Sequence, residues 1–176
     1  MNYRFFFGVA LVLITLGMVV FISNFSYRRD LMRTRNEDYE SVTLSSSRLK
    51  QMINDEKETI SEPIESLQKE TLIESIEGAK TQVRQGNLIR VNYIGWRAND
   101  GVVFDQSFDR GDEGFTFRVG SGVIDGWSQG VLGMKVGEIR RLKIPSSLAY
   151  GESDAGELIP PNTDLIFDVE LLEIVE

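Results

Sequence analysis

The residues that could do chemistry in this chain are carboxylates, hydroxyls, lysines and aromatic rings, because histidine and cysteine are both absent. Without histidine there is no Ser-His-Asp triad, no Cys-His pair and no imidazole-ligated zinc. Without cysteine there is no disulfide framework and no thiolate nucleophile. Any activity must therefore come from the remaining polar side chains, from backbone groups or from the shape of a cavity.

The aromatic residues of the C-terminal half are the strongest candidates for such a cavity. An aromatic residue on an inward strand face ordinarily belongs to the core, so each one taken alone favours packing. As a set they come from three strands, a helix and a loop: Tyr93, Phe115, Phe167, Trp127 and Tyr150. If they converge, they line an apolar cavity with two phenol hydroxyls and with Asp105 at its rim, which is the usual composition of a small-ligand pocket.

Short strands must position most of these residues. From about residue 70 the sequence shows alternating apolar residues, glycines and short turns, which predict antiparallel strands. In the last run, Leu165, Phe167 and Val169 share one face, while Asp168 and Glu170 lie on the other. Six runs read as extended: TLIESI, LIRVNYIGW, GVVFDQSF, FTFRV, IRRLKIP and TDLIFDVELLEI.

One helix fits between the fourth and fifth of these runs. Ile124, Trp127, Val131 and Met134 follow at spacings of 3, 4 and 3, which places them on one helical stripe, and Gly137 provides a stop. A single short helix can bury its apolar stripe only against the concave face of the sheet. The pattern therefore predicts an α+β fold, a bent antiparallel sheet with one helix.

The N-terminal segment has a different character. No charged residue occurs between Arg4 and Arg28, and the apolar run Phe5 to Phe25 would span about 31 Å as a helix, close to a bilayer core of about 30 Å. The run is longer than the apolar core of a cleaved signal peptide. We therefore expect residues 1–27 to form a single-pass membrane anchor. The arginines that follow favour a cytoplasmic C-terminal domain, with the periplasm as the alternative in a bacterium.

Residues 28–69 are predicted to form a polar, partly helical spacer before a domain at residues 70–176. Pro63 fits the first turn of a helix capped by Ser61. The apolar spacing does not sustain the heptads of a coiled coil, and self-association of the spacer stays open. Residues 70–176 carry ten Lys+Arg and eighteen Asp+Glu with no basic run, which argues against nucleic-acid binding.

Residues 70–176 resemble the FKBP (FK506-binding protein) family of peptidyl-prolyl cis-trans isomerases. The matching pieces stand in family order and at family spacing: VNYIGW, GVVFDQSFDR, FTFRVGSGVIDGWSQGVLGMKVGE, IPSSLAYG and LIPPNTDLIFDVELLEI. The resemblance implies an antiparallel half-barrel of five to six strands wrapped around one short helix. It also implies an enzyme that needs no metal and no cofactor.

The resemblance carries the family's pocket over to matching positions. The implied catalytic residues are Tyr93, Phe104, Asp105, Trp127, Tyr150 and Phe167. The implied substrate-binding residues are Phe115, Val123, Ile124, Ile159 and Arg110. In this arrangement the Ile124 N–H and the Tyr150 hydroxyl would each hold a ligand carbonyl, and a proline ring would sit on Trp127.

The implied activity is faster rotation about X–Pro bonds in proline-containing client polypeptides during folding, with FK506-like macrolides as inhibitors. A dry apolar pocket disfavours the polar planar amide relative to the twisted one, so no nucleophile is needed. The alternative is a catalytically weak, membrane-tethered proline-binding module. The loop after Tyr150 departs from the family, because Ala155 stands near a position where members often carry histidine and Glu152, Asp154 and Glu157 make the rim acidic.

Overall fold

A computed structural model of the chain describes residues 47, 49–52, 57–110, 114–153 and 155–175. From residue 68 onward the strands and the α-helix among them follow in this order: β1 Gln68–Ile73, β2 Leu88–Arg97, β3 Val103–Gln106, β4 Phe115–Arg118, α1 Asp125–Gly130, β5 Ile139–Ile144 and β6 Leu165–Ile174. Turns of 3-10 helix cover Ser107–Arg110 and Ser146–Leu148. Residues 49–52 are helical.

The strands form one sheet in the order β1-β5-β6-β2-β3, and β4 pairs with β2 outside this path. Every pairing is antiparallel. The long strands β2 and β6 lie side by side at the centre, with Tyr93 opposite Val169 and Gly95 opposite Phe167. The predicted α+β class, with an antiparallel sheet and few helices, is confirmed.

The sheet is covered on both faces, because side chains alternate along each strand. On the first face, Val91 and Tyr93 of β2 join a core that includes Trp127 of α1. On the second face, Ile94 and Trp96 of β2 join a smaller core. The predicted division of β6 is also found, since its odd-numbered residues 165–171 belong to the first core.

The second face is buried although it is rich in charged residues. Asp168 and Glu170 are only 2% and 0% exposed. Arg141 pairs with Asp168 at 2.7 Å, and its guanidinium also bonds Glu58 at 3.0 Å. The indole N–H of Trp96 donates to the Glu58 carbonyl at 2.9 Å. Buried charges occur where they are paired. Here Arg141 pairs with Asp168, and Glu58, from a distant part of the chain, binds Arg141 in turn.

Residues 57–67, called here the N-terminal segment, supply part of this cover, together with Leu49 and Met52. The segment lies within the stretch predicted as a spacer, and it contains no helix, so the helix predicted at Pro63 is wrong. Two main-chain contacts hold the segment instead: Ile60 N–H donates to the Ala98 carbonyl at 2.7 Å, and Ile64 N–H donates to the Asp164 carboxylate at 2.7 Å. Tertiary hydrogen bonds thus replace the local ones that a helix would make.

Helix α1 is shorter than the apolar stripe predicted. It ends at Gly130, and Gly133 adopts φ +80°, a left-handed conformation that a continuing α-helix cannot contain. Val131 and Met134 are nevertheless fully buried, because the turn after the helix keeps them against the first core.

The membrane localisation predicted from residues 5–25 is corrected by the structure. Among the described residues no helix is both long enough and apolar enough to cross a bilayer. Residues 5–25, on which the predicted anchor rested, lie outside the described residues.

Acidification should weaken the attachment of the N-terminal segment. Burial opposes ionisation of Glu58, but hydrogen bonds and charges from Lys143 and Arg141 outweigh it and hold the pKa of Glu58 below its usual 4.5. A pKa lowered by folding contributes stability above the unfolded value, and this contribution is lost as the pH falls through the folded value. When the pH is lowered from 7 to below about 4.5, the free energy of unfolding measured with urea should therefore fall more for the wild type than for Glu58→Gln. Equal losses in the two proteins would contradict this role of Glu58.

Candidate active site

Helix α1 reaches the sheet closely enough to bury Trp127 because two glycines face strand β5. A Cβ atom on Gly126 would lie 2.4 Å from Ile144 Cγ2, and one on Gly130 would lie 2.6 Å from Leu142 Cδ1. Both distances are too short for any real side chain, so glycine is required for this approach. The Trp127 indole is consequently only 4% exposed.

Aromatic rings from the sheet surround this indole. Tyr93 and Phe167 meet it edge to face, with ring centroids 5.0 and 5.3 Å away and interplanar angles of 85° and 87°. Phe115 lies at 6.1 Å in the same orientation. Phe104 joins the cluster through Phe167, at 5.5 Å and 85°. Such edge-to-face contacts add stabilisation beyond the area buried, and they bring together five of the predicted aromatic residues.

The predicted carboxylate lies beside this cluster. The Tyr93 hydroxyl donates to Asp105 Oδ2 at 2.5 Å, which joins β2 to β3. The turn after β3 is fixed by Ser107, whose hydroxyl accepts the Tyr93 N–H at 3.1 Å and donates to Asn92 Oδ1 at 3.2 Å. Asp105 is thus held at the mouth of an apolar cluster by a phenol and by the strand that carries it.

Tyr150 lies at the same mouth but is more open, with 42% of its surface exposed. Burial raises its pKa above 10.0, and the nearby Asp105 carboxylate raises it further. A phenol is protonated at neutral pH even at its usual pKa, so the hydroxyl of Tyr150 can donate a hydrogen bond.

Three of the remaining predicted residues, Val123, Ile124 and Ile159, belong to the first core or pack against it. Ile124 is the N-cap of α1, and the N–H of an N-cap residue has no intrahelical partner. Val123 and Ile124 are partly buried against the first core, and Ile159 is 5% exposed within it. The side chain of Arg110, predicted to bind substrate, lies outside the described residues.

Comparison with known proteins identifies the family of this chain. Residues 79–172 match the model of a family described as FKBP-type peptidyl-prolyl cis-trans isomerase. The chain belongs to the FKBP family. Its relatives include the peptidyl-prolyl cis-trans isomerase FPR2 of Saccharomyces cerevisiae, 48% identical over 100 residues, with 56% of this chain and 73% of the relative covered.

Two further FKBP relatives agree with this assignment. FK506-binding protein 2 of Dictyostelium discoideum is 52% identical over 94 residues, with 53% of this chain and 69% of the relative covered. The crystal structure of AtFKBP13 superposes with a TM-score of 0.56 at 36% identity, over 65% of this chain and 98% of that one. The predicted family, and with it an isomerase enzyme of the FKBP type, is confirmed.

Sequence reasoning missed Gly95, which lies beside this aromatic cluster. A Cβ atom there would lie 2.5 Å from Phe167 Cε1 and 2.9 Å from Phe104 Cζ. Gly95 thus makes room on the central strand for two rings of the cluster. The available signal was a glycine inside a strand of otherwise alternating apolar residues, which often marks a close approach. Phe117, 5.4 Å from the Trp127 ring, is another member of the cluster outside the predicted set.

Proposed function

We propose that the cluster around Trp127 is the active site in which this FKBP-type isomerase twists X–Pro bonds of client polypeptides. The observation that supports it is the convergence of an apolar aromatic floor with a phenol-bound carboxylate, formed by Trp127, Tyr93 and Asp105. We assign the activity to residues 70–176, which contain all of the proposed site residues and the family match at residues 79–172.

The proposed roles divide into two groups. The residues proposed to act on the reacting amide are Tyr93, Phe104, Asp105, Trp127, Tyr150 and Phe167. The residues proposed to hold the rest of the peptide are Phe115, Val123, Ile124, Ile159 and Arg110. In this assignment the proline ring packs on the Trp127 indole, while the Ile124 N–H and the Tyr150 hydroxyl donate to carbonyls on either side.

The catalytic step requires no covalent chemistry. Rotation about the X–Pro bond is slow because the amide loses resonance at the twisted midpoint, a barrier of about 18–20 kcal/mol. The planar amide is more polar than the twisted one, so removal of water by the aromatic walls raises the energy of the planar forms more. Groups that hold the twisted amide more tightly than either planar form then lower the barrier, by about 1.36 kcal/mol for each tenfold in rate.

Asp105 has a defined part in this mechanism. Its carboxylate accepts the Tyr93 hydroxyl and lies close enough to Tyr150 to raise the pKa of that phenol. One negative charge therefore orients the Tyr93 hydroxyl directly and lies near the Tyr150 hydroxyl. Side chains that are already ordered before the substrate binds lose less conformational entropy on binding, so less binding energy is used to order them.

Inhibition by macrolides of the FK506 type is part of the proposal. Relatives of this chain carry the name FK506-binding protein 2. Glu152 and Glu157, in the loop after Tyr150, are exposed. We expect them to change the affinity for such ligands rather than abolish binding.

The decisive experiment follows cis/trans exchange of a short X–Pro peptide by NMR with the full-length protein. The wild type should accelerate exchange. In the double variant Phe104→Tyr, Asp105→Val the catalysed exchange rate should fall about 100-fold or more, because the variant removes the carboxylate and narrows the pocket. The control is Asp109→Asn. Its carboxylate bonds Gln106 Nε2 at 2.6 Å in the turn after β3, and its loss should leave the rate unchanged.

Two results would contradict the proposal. A double variant as active as the wild type would place the active site elsewhere. A folded wild type that binds the peptide without accelerating exchange would favour the alternative, a proline-binding module with little catalysis.

A further inference from the structure

The carboxylate of Asp164 joins two distant parts of the chain. Its Oδ2 accepts the N–H of Ile64 at 2.7 Å, and its Oδ1 accepts the N–H of Ser146 at 2.7 Å. Hydrogen bonds with a charged partner are about twice as strong as neutral ones. Asp164 is only partly exposed, so solvent competes weakly for these two bonds.

These bonds lie at the base of the loop that carries two of the proposed site residues. Residues 146–164, called here the active-site loop, leave the sheet after β5 and return to it at β6. The loop begins at Ser146 and ends at Asp164, so the carboxylate closes it. Tyr150 and Ile159 lie between these ends.

The closure is transmitted inside the loop by main-chain hydrogen bonds. The N–H of Gly151, which follows Tyr150, donates to the Ser146 carbonyl at 2.8 Å. The N–H of Asn162 donates in turn to the Gly151 carbonyl at 2.6 Å. Both limbs of the loop therefore meet at Gly151, and a shift of Ser146 would be passed to the main chain next to Tyr150.

The N-terminal segment is fixed to the same residue a second time. Ile60 N–H bonds the Ala98 carbonyl at 2.7 Å, and Ala98 N–H bonds the Asp164 carbonyl at 2.9 Å. The Ile64 side chain is 5% exposed in the second core. Asp164 thus contacts the segment through its side chain and, by way of Ala98, through its main chain.

We propose that Asp164 is a positioning residue that sets the place of Tyr150 for catalysis by closing the active-site loop through Ser146. The inference rests on the proposed function of the site. Asp164 touches no substrate and acts through Ser146.

Glu58 offers a matched control, because it holds the same segment without contacting the loop. Its carboxylate bonds Arg141 and Lys143 on strand β5, at 3.0 and 2.5 Å. Loss of Glu58 should loosen the segment and leave the contact between Asp164 and Ser146 in place. A comparison of the two carboxylates separates loop positioning from general stability.

The test uses the full-length protein and the variants Asp164→Ala, Asp164→Asn and Glu58→Gln. Peptide exchange gives kcat and KM, and amide spectra of isotopically labelled protein report on Tyr150 and Gly151. We expect Asp164→Ala to lower kcat about 10-fold or more with a smaller change in KM, and to shift both amide signals. Asp164→Asn keeps one acceptor oxygen, so its kcat and its amide shifts should lie between those of Asp164→Ala and the wild type. This variant tests the positioning role if the alanine variant does not fold.

Glu58→Gln should lower stability while leaving kcat and the two amide signals near the wild-type values. If the Asp164 variants match Glu58→Gln in kcat and in these signals, the positioning role is wrong although the isomerase stands. A wild type without acceleration would instead overturn the proposed function on which the role rests.

Discussion

Replacement of Trp127 by phenylalanine should cost less stability than replacement of Trp96, and yet remove far more catalysis. Trp127 Nε1 is buried and, among the described residues, has no hydrogen-bond partner. Phenylalanine deletes that unsatisfied donor together with part of the ring. The loss of packing should then cost about 1–2 kcal/mol, at the low end for a buried aromatic truncation.

Trp96 is the matched case on the opposite face of the sheet. It is 0% exposed, its Nε1 donates to the Glu58 carbonyl, and the Arg141 guanidinium lies 5.2 Å from its ring centroid. Phenylalanine there leaves the carbonyl without its donor as well as a small void. A cost of about 2–4 kcal/mol is expected, because an unpaired buried acceptor adds its desolvation penalty.

The functional effects should run the other way. Trp127→Phe shrinks the surface proposed to hold the proline ring, and kcat/KM should fall about 10-fold or more, equivalent to about 1.4 kcal/mol of lost transition-state binding. Trp96→Phe should keep nearly full activity. Urea denaturation ranks the two variants by lost stability, and peptide exchange ranks them by lost activity. The same order in both measurements would mean that Trp127 acts through stability alone.

The strands and the inward faces were predictable because they depend on local alternation. The run LIRVNYIGW places Val91 and Tyr93 on one face by period alone, and the structure buries both there. Family resemblance supplied the site residues, and the structure brings Tyr93, Asp105 and Trp127 together. Local pattern and family spacing agree here, since a pocket floor is also part of the core.

The second face of the sheet could not be predicted in the same way. Asp168 alternates with apolar residues, which indicates a solvent-facing position, but it is buried under Arg141 and Glu58. Its burial depends on Arg141, and the Arg141 guanidinium is held in turn by Glu58, 83 positions before Arg141 in the sequence. Likewise Pro63 fits a helix start locally, and only the contact between Ile64 and Asp164 explains why the chain stays extended.

Gly95→Ala should damage both stability and catalysis although it adds a single methyl group. The new Cβ would meet Phe167 Cε1 at 2.5 Å, and Phe104 Cζ at 2.9 Å. Phe167 cannot withdraw easily, because its ring is packed against Trp127 at 5.3 Å and it is 4% exposed. Overpacking of this kind costs about 1–3 kcal/mol. We expect kcat/KM to fall about 10-fold as the displaced rings narrow the floor.

A double-mutant cycle identifies the ring responsible. Phe167→Leu opens space beside residue 95, so Gly95→Ala should destabilise the leucine background by about 1 kcal/mol less than the wild type.

Gly78→Ala is the glycine control. Its Cβ would meet nothing within 4 Å, but its φ of +85° makes alanine costly, so stability should fall with catalysis preserved. Additive effects at 95 and 167, or equal catalytic losses at 95 and 78, would show that the methyl group acts through the backbone. Non-additive effects at positions 95 and 167 would instead show that the missing side chain of Gly95 makes room on strand β2 for the ring of Phe167.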